Sequence, residues 1–135
     1  MLRQGPIPAF IHGAIEYAAA AVLIGAPFVL HFHSGTAKAV SIIAGVLVLI
    51  IAASTAMSTG LIKSIPVATH VVLDFLLVAL LIASPFVFGF SGDGTATAFF
   101  IVLGVVHLLV TIATRFIRDK PAGEPRRARP SAPRP

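Results

Sequence analysis

The stretch IPAFIHGAIEYAAAAVLIGAPFVL, residues 7–30, returns as IPVATHVVLDFLLVALLIASPFVF, residues 65–88. At a constant offset Ile7 and Pro8 fall on Ile65 and Pro66, His12 on His70, Glu16 on Asp74, Tyr17 on Phe75, and Pro27-Phe28 on Pro85-Phe86. Each copy is an apolar run of helical length interrupted by a histidine and, four residues later, a carboxylate. Residues i and i+4 share one helical face, so each copy sets its imidazole beside its own acid. The segment after each copy repeats as well, since Gly45-Val46 matches Gly104-Val105 once one residue is inserted in the preceding loop. The chain therefore reads as a tandem duplication of a two-helix unit.

Composition fixes the solvent. Of the 135 residues 57% are hydrophobic and 11% charged, whereas about a quarter of residues are charged in soluble domains, and the mean hydropathy is +0.98. Four apolar runs of roughly 20 residues can each cross a hydrocarbon core about 30 Å thick. The expected fold class is all-α, an integral membrane four-helix bundle made of two tandem two-helix repeats. Helices are predicted over 7–30, 37–57, 65–88 and 96–116. The corresponding organisation is an N-terminal tail over 1–6, repeat 1 over 7–57, a connecting loop over 58–64, repeat 2 over 65–117, and a basic, proline-rich tail over 118–135 that is expected to be disordered. Two-helix units cross an even number of times, so both insert the same way up and are related by a pseudo-twofold axis along the membrane normal.

Within this frame Pro8 and Pro66 suit first helical turns, where a missing N–H costs nothing. Pro27 and Pro85 fall near helix ends and predict kinks there, with the freed carbonyls satisfied by neighbouring groups. Ser41, Gly45 and Ala52 are small enough for close helix approach, and small residues on the second and fourth helices leave a homodimer feasible. Phe28, Phe32, Phe86, Phe88, Phe90, Phe99 and Phe100 are expected near one membrane interface.

The net charge of +5 comes with every Lys and Arg except Lys38 on one side of the threaded chain. That asymmetry reads as topology, with both termini cytoplasmic, and not as a nucleic-acid surface. Arg3 before an alanine-rich run imitates a secretory signal, but the near-copy in mid-chain and Glu16 inside the apolar part argue for a retained helix. With no cysteine, disulfides, thiolate metal sites and thiol nucleophiles are excluded. There is no P-loop, no G-x-S-x-G and no H-E-x-x-H, and no enzymatic activity is expected.

The segments GAPFVLHFHSG, residues 25–35, and ASPFVFGFSG, residues 83–92, each close the first helix of a repeat. They resemble the SPW-repeat membrane proteins, a bacterial family named for a Ser-Pro-Trp motif in that helix. Phe28 and Phe86 stand where the family has Trp, and Ala26 stands for the serine in the first copy. The resemblance implies a multi-pass protein of the bacterial plasma membrane and carries no catalytic residues with it.

Function, if it has a site, belongs to the polar residues inside the apolar runs. A charge at the bilayer centre costs at least about 2.5–3.5 kcal/mol on insertion scales, so Glu16 and Asp74 require partners. At 1.5 Å per residue both lie roughly 12 Å in. His107, counted back from Arg115, falls in the same layer, with His12, His70 and Thr111 one turn nearer the termini. The expected cluster is His12, Glu16, His70, Asp74, His107 and Thr111. The leading expectation is that these groups are interhelical hydrogen bonds in a structural or accessory component of a larger membrane complex. The alternative is a small transporter or a proton- or metal-binding protein, with Zn, Mn or Fe the candidate ions. Haem between His70 and His107 is a third option, made awkward by a depth difference of about 5.4 Å. His31 and His33 read as solvated loop residues, and the lipid bilayer, other membrane subunits or a second copy are the expected partners.

Overall fold

Residues 5–116 are described by the computed structural model of the chain, so the expected disordered tail lies outside the described residues. In chain order the elements are β1 (Ile7–Pro8), α1 (Ala9–Val29), α2 (Gly35–Ser54), α3 (Val67–Val87), α4 (Gly94–Ala113) and β2 (Thr114–Arg115). All four helices are long and apolar enough to cross a membrane. Their outer faces carry exposed large apolar side chains, among them Val22, Ile43, Leu47, Leu76, Val102 and Leu109. In water that surface would be costly, whereas against acyl chains it is already solvated. The protein is a multi-pass membrane bundle in contact with lipid.

The buried stripes match between repeats. On α1 they include His12, Glu16, Ala20, Leu23 and Pro27, and on α3 His70, Asp74, Val78, Leu81 and Pro85. On α2 they include Ala37, Ser41, Gly45, Val48 and Ala52, and on α4 Ala96, Phe100, Gly104, His107 and Thr111. Spacings of three and four residues keep each set on one inward face. Backbones approach most closely within a repeat, α1 with α2 and α3 with α4. Gly45 makes this possible: a Cβ there would lie 2.7 Å from Ile24 Cγ1 and 2.9 Å from the Ala20 carbonyl oxygen. Gly104 plays the same part against Ile82 Cγ1 at 2.8 Å. Ser41 and Gly45 are thus consumed inside repeat 1.

Several boundaries differ from expectation, each for a local reason. α2 and α4 begin at Gly35 and Gly94 because Ser34 and Asp93 cap them, their side chains accepting the Ala37 and Ala96 N–H groups; a cap oxygen satisfies an N–H that has no intrahelical partner. Both helices stop before Thr55 and Thr114, which turn to extended backbone, so Met57 and Phe116 are not helical. Ile7–Pro8 is extended too, paired in parallel with Thr114–Arg115, and Thr55 bridges Ile65 in the same sense. These two pairings are pseudo-twofold mates. Each ties the entry of one repeat to the exit of the other.

Pro27 and Pro85 sit buried in the last turns of α1 and α3. Proline has no N–H for the carbonyl four residues back, and in repeat 1 that carbonyl, Leu23, accepts the Ser41 hydroxyl at 2.6 Å. Phe100 occupies the corresponding position of α4, so repeat 2 lacks this donor. Of the aromatic residues expected near one interface, Phe32, Phe90, Phe99 and Phe100 gather at the end of the bundle where α1 meets α2 and α3 meets α4, and pack on one another with ring centroids 5.1–6.5 Å apart. The Phe32 and Phe90 N–H groups donate to the Pro27 and Pro85 carbonyls, and this turn carries their rings into the core. Phe28, Phe86 and Phe88 remain exposed.

Candidate functional site

Near the end of the bundle that carries β1 and β2, α1 and α3 face one another through their histidines and acids. The His12 and His70 side chains are 0% exposed, Glu16 and Asp74 2%, and His107 4%. His12 Nε2 lies 3.2 Å from Asp74 Oδ2, and His70 Nε2 lies 3.2 Å from Glu16 Oε1. The same-helix separations are longer, 3.8 Å for His12 to Glu16 and 3.5 Å for His70 to Asp74. Each imidazole therefore leans on the acid of the other repeat. His107 Nε2 reaches Asp74 Oδ1 at 3.6 Å. Val48, its counterpart in α2, supplies no such group to Glu16.

The other ring nitrogen is held elsewhere. His12 Nδ1 is 2.9 Å from Thr114 Oγ1, and His70 Nδ1 is 2.8 Å from Thr55 Oγ1. Both hydroxyls also donate to the carbonyl four residues back, Val110 and Ile51, at 2.6 Å. A hydroxyl has one proton. With that proton given to the carbonyl, each threonine oxygen accepts from the ring, so the hydrogen-bond network assigns the proton to Nδ1. The Nε2 atoms of His12, His70 and His107, together with Glu16 Oε2 and Asp74 Oδ2, have no hydrogen-bond partner among the described residues.

Five of the six residues singled out in the sequence come together here. Thr111 is buried one turn away with its hydroxyl unpaired among the described residues, and Thr114 reaches the imidazole in its stead. Sequence reasoning missed Thr55 and Thr114, although the inserted residue that aligns Gly45 with Gly104 also aligns these two. It also missed Phe116, whose ring packs edge-on against His12 at 4.9 Å and near His70 at 6.4 Å. Phe116 lines a recess of about 480 Å³ shared with Pro8, Phe10, Met57, Lys63 and Arg115. Asp74 Oδ1 lies 3.5 Å from His70 Nε2 and 3.6 Å from His107 Nε2, in the volume a porphyrin between those two histidines would need.

The SPW repeat domain model matches residues 10–116, both two-helix units and the whole cluster. The chain belongs to the SPW-repeat family. Comparison with curated proteins gives no match, nor does comparison with solved structures. In this SPW-repeat protein the motif positions read Ala26-Pro27-Phe28 and Ser84-Pro85-Phe86. Phe28 and Phe86 are 63% and 62% exposed, which places the motif aromatic on the lipid-facing side of the helix end.

At that opposite end a second polar tie joins the repeats. Asp93 Oδ2 accepts the His33 N–H at 2.7 Å and the Ser34 N–H at 2.9 Å, while Oδ1 caps α4 through Ala96. The side chains of His31 and His33 are exposed. The Ser34 N–H, with those of Ala96 and His33, holds the Asp93 carboxyl below the usual carboxylate range. A depressed folded-state pKa gives stability that is present above the unfolded value of about 3.9 and is lost as pH falls through the folded value. We expect Asp93→Asn, which keeps one capping oxygen but turns the acceptor of the His33 and Ser34 N–H groups into an NH2 donor, to cost about 1–2 kcal/mol at neutral pH, the scale of lost hydrogen bonds to a charged group. The difference between wild-type and variant stability should shrink as pH drops below about 4, which thermal unfolding in detergent across pH would show. A difference that stays constant with pH would remove the carboxylate from this role.

Proposed function

We propose that this SPW-repeat protein is a non-enzymatic component of a bacterial plasma membrane, structural or accessory to a larger assembly, with both termini cytoplasmic. The buried cluster is the clasp between its repeats. One observation carries the reading: the closest polar contacts of His12 and His70, to Asp74 and Thr114 and to Glu16 and Thr55, all cross from one repeat to the other. Interhelical polar bonds of this kind hold membrane helices together where apolar burial gives no net drive. Lys63 and Arg115 at the clasp end, with Lys38 beyond the opposite end of α1, support the orientation. A lipid-facing strip of small residues on α1, Ala14, Ala18 and Ala21, supports close approach by another helix.

The test is purification from native membranes in a mild detergent, followed by mass measurement and identification of stoichiometric partners. We expect a particle larger than one chain in its micelle. A lone chain, recovered unchanged after chemical cross-linking of intact membranes, would refute the accessory role. A second reading, a proton- or metal-binding protein, is favoured by the inward-facing Nε2 atoms that have no hydrogen-bond partner among the described residues.

A further inference from the structure

We infer that His12, Glu16, His70 and Asp74 form a four-ligand site for a divalent first-row transition cation, with Zn2+ the best-matched ion. The inference goes beyond the clasp, which needs no ion. It starts from the threonines. Because Thr55 and Thr114 fix the ring proton on Nδ1, the Nε2 of each neutral imidazole presents a lone pair to the interior. Metal-bound histidines take this arrangement, with the second ring nitrogen donating to a fixed acceptor that sets the tautomer and the ring plane.

What the lone pairs face is acceptors. Going round the site, the four nitrogen-to-oxygen separations are 3.2, 3.5, 3.2 and 3.8 Å, and one ligand atom from each residue lies within 4.8 Å of the others. Nitrogen lone pairs and carboxylates that face one another in a solvent-shielded interior require positive charge among them. A proton on each Nε2 supplies it as the ion pairs of the clasp, and a dication supplies it as a coordinated site. In a tetrahedron, bonds of about 2.0–2.2 Å put neighbouring ligand atoms about 3.3 to 3.6 Å apart, close to the separations seen. Two carboxylates balance the charge of a dication, so the filled site is neutral, the condition a charge in a lipid-shielded interior must meet.

The donor set selects the class of ion. Ca2+ and Mg2+ require six or more ligands, oxygen throughout. Two imidazoles with two carboxylates suit four-coordinate zinc and its first-row neighbours. All four ligands are buried, which marks a closed and structural site in preference to one that holds a position open for substrate. His107 Nε2, at 3.6 Å from Asp74 Oδ1, orients that carboxylate or adds a fifth ligand.

The full chain, purified in mild detergent and stripped with a chelator, is titrated with Zn2+ and with Co2+ in the presence of excess Mg2+. We expect one ion per chain, a visible Co2+ absorption band abolished by Zn2+, and a rise in unfolding temperature on binding. A His31→Ala/His33→Ala variant should bind as the wild type does. Glu16→Gln and His70→Ala should weaken binding by more than about 100-fold, and Thr55→Val with Thr114→Val by about 10–100-fold, the range for groups behind the ligands. No saturable binding by the wild type, binding that survives Glu16→Gln and His70→Ala, or binding lost with the loop histidines would each overturn the site. If those variants fail to fold, zinc-edge X-ray absorption on the wild type decides, since a shell without two imidazoles would equally overturn it. The clasp fails separately: it predicts that Glu16→Ala destabilises even the stripped protein.

Discussion

Glu16→Ala should destabilise the metal-stripped bundle by about 3 kcal/mol or more, the scale seen when one partner of a buried ion pair is removed. Glu16 Oε1 lies 3.2 Å from His70 Nε2 and 3.8 Å from His12 Nε2. The substitution therefore strips both imidazoles of an acceptor and leaves Asp74 to serve three histidines. Interhelical hydrogen bonds in membranes average only about 0.6 kcal/mol, because the chain unfolded in the bilayer also finds partners. Here the larger figure applies, since the groups left behind are ionisable and their side chains are at most 4% exposed. Glu16→Ala with Asp74→Ala should cost less than the sum of the single changes, because the second removal relieves what the first exposed. Unfolding in mixed micelles of denaturing and mild detergent measures all three. Strict additivity, or a single-variant loss below about 1 kcal/mol, would show that the groups do not act together.

A second large effect is expected from Gly45→Ala, about 1–3 kcal/mol of destabilisation, the usual cost of overpacking a filled interface. The new methyl would meet the Ala20 carbonyl oxygen at 2.9 Å and Ile24 Cγ1 at 2.7 Å. A side chain can move aside, but the α1 backbone cannot do so without opening the α1–α2 contact. Gly25→Ala supplies the contrast, since nothing lies within 4 Å of a Cβ there. It should be neutral or stabilising by up to about 1 kcal/mol, the helix-propensity difference between the two residues. Gly104→Ala should fall between them, since its close neighbours are side-chain atoms of Ile82 and Leu81. Equal effects at positions 25 and 45 would contradict the packing described.

The spans and the duplication were legible because hydropathy over a helix length and a constant register are properties of the sequence itself. The cluster was legible by depth, since counting turns from Pro8, Pro66 and Arg115 placed Glu16, Asp74 and His107 in one layer. The pairing was not. An i,i+4 pattern suggests that His12 belongs with Glu16, yet the facing helix comes nearer than the turn above, and Asp74 takes the closer place. Thr55 and Thr114 fall inside the helices predicted over 37–57 and 96–116, with no pattern to mark them as ring partners. Each hydroxyl donates to the carbonyl four residues back, but the helix ends beneath it and frees the oxygen for an imidazole of the other repeat. The burial of Phe32 and Phe90 depended on a turn closed by proline carbonyls, which no periodicity encodes.

The crossed ties have a consequence for ancestry. A solitary two-helix unit carries a histidine whose threonine and nearer acid sit elsewhere, so it is a half-site that only a second copy in the same orientation can complete. Two such units on separate chains would assemble in proportion to their abundance in the membrane. Fusion into one polypeptide makes the encounter intramolecular, at an effective concentration set by the connection between α2 and α3 and not by expression. It also lifts the demand that both copies stay identical, and the imidazole of His107 opposite the plain Val48 is what such freedom leaves behind.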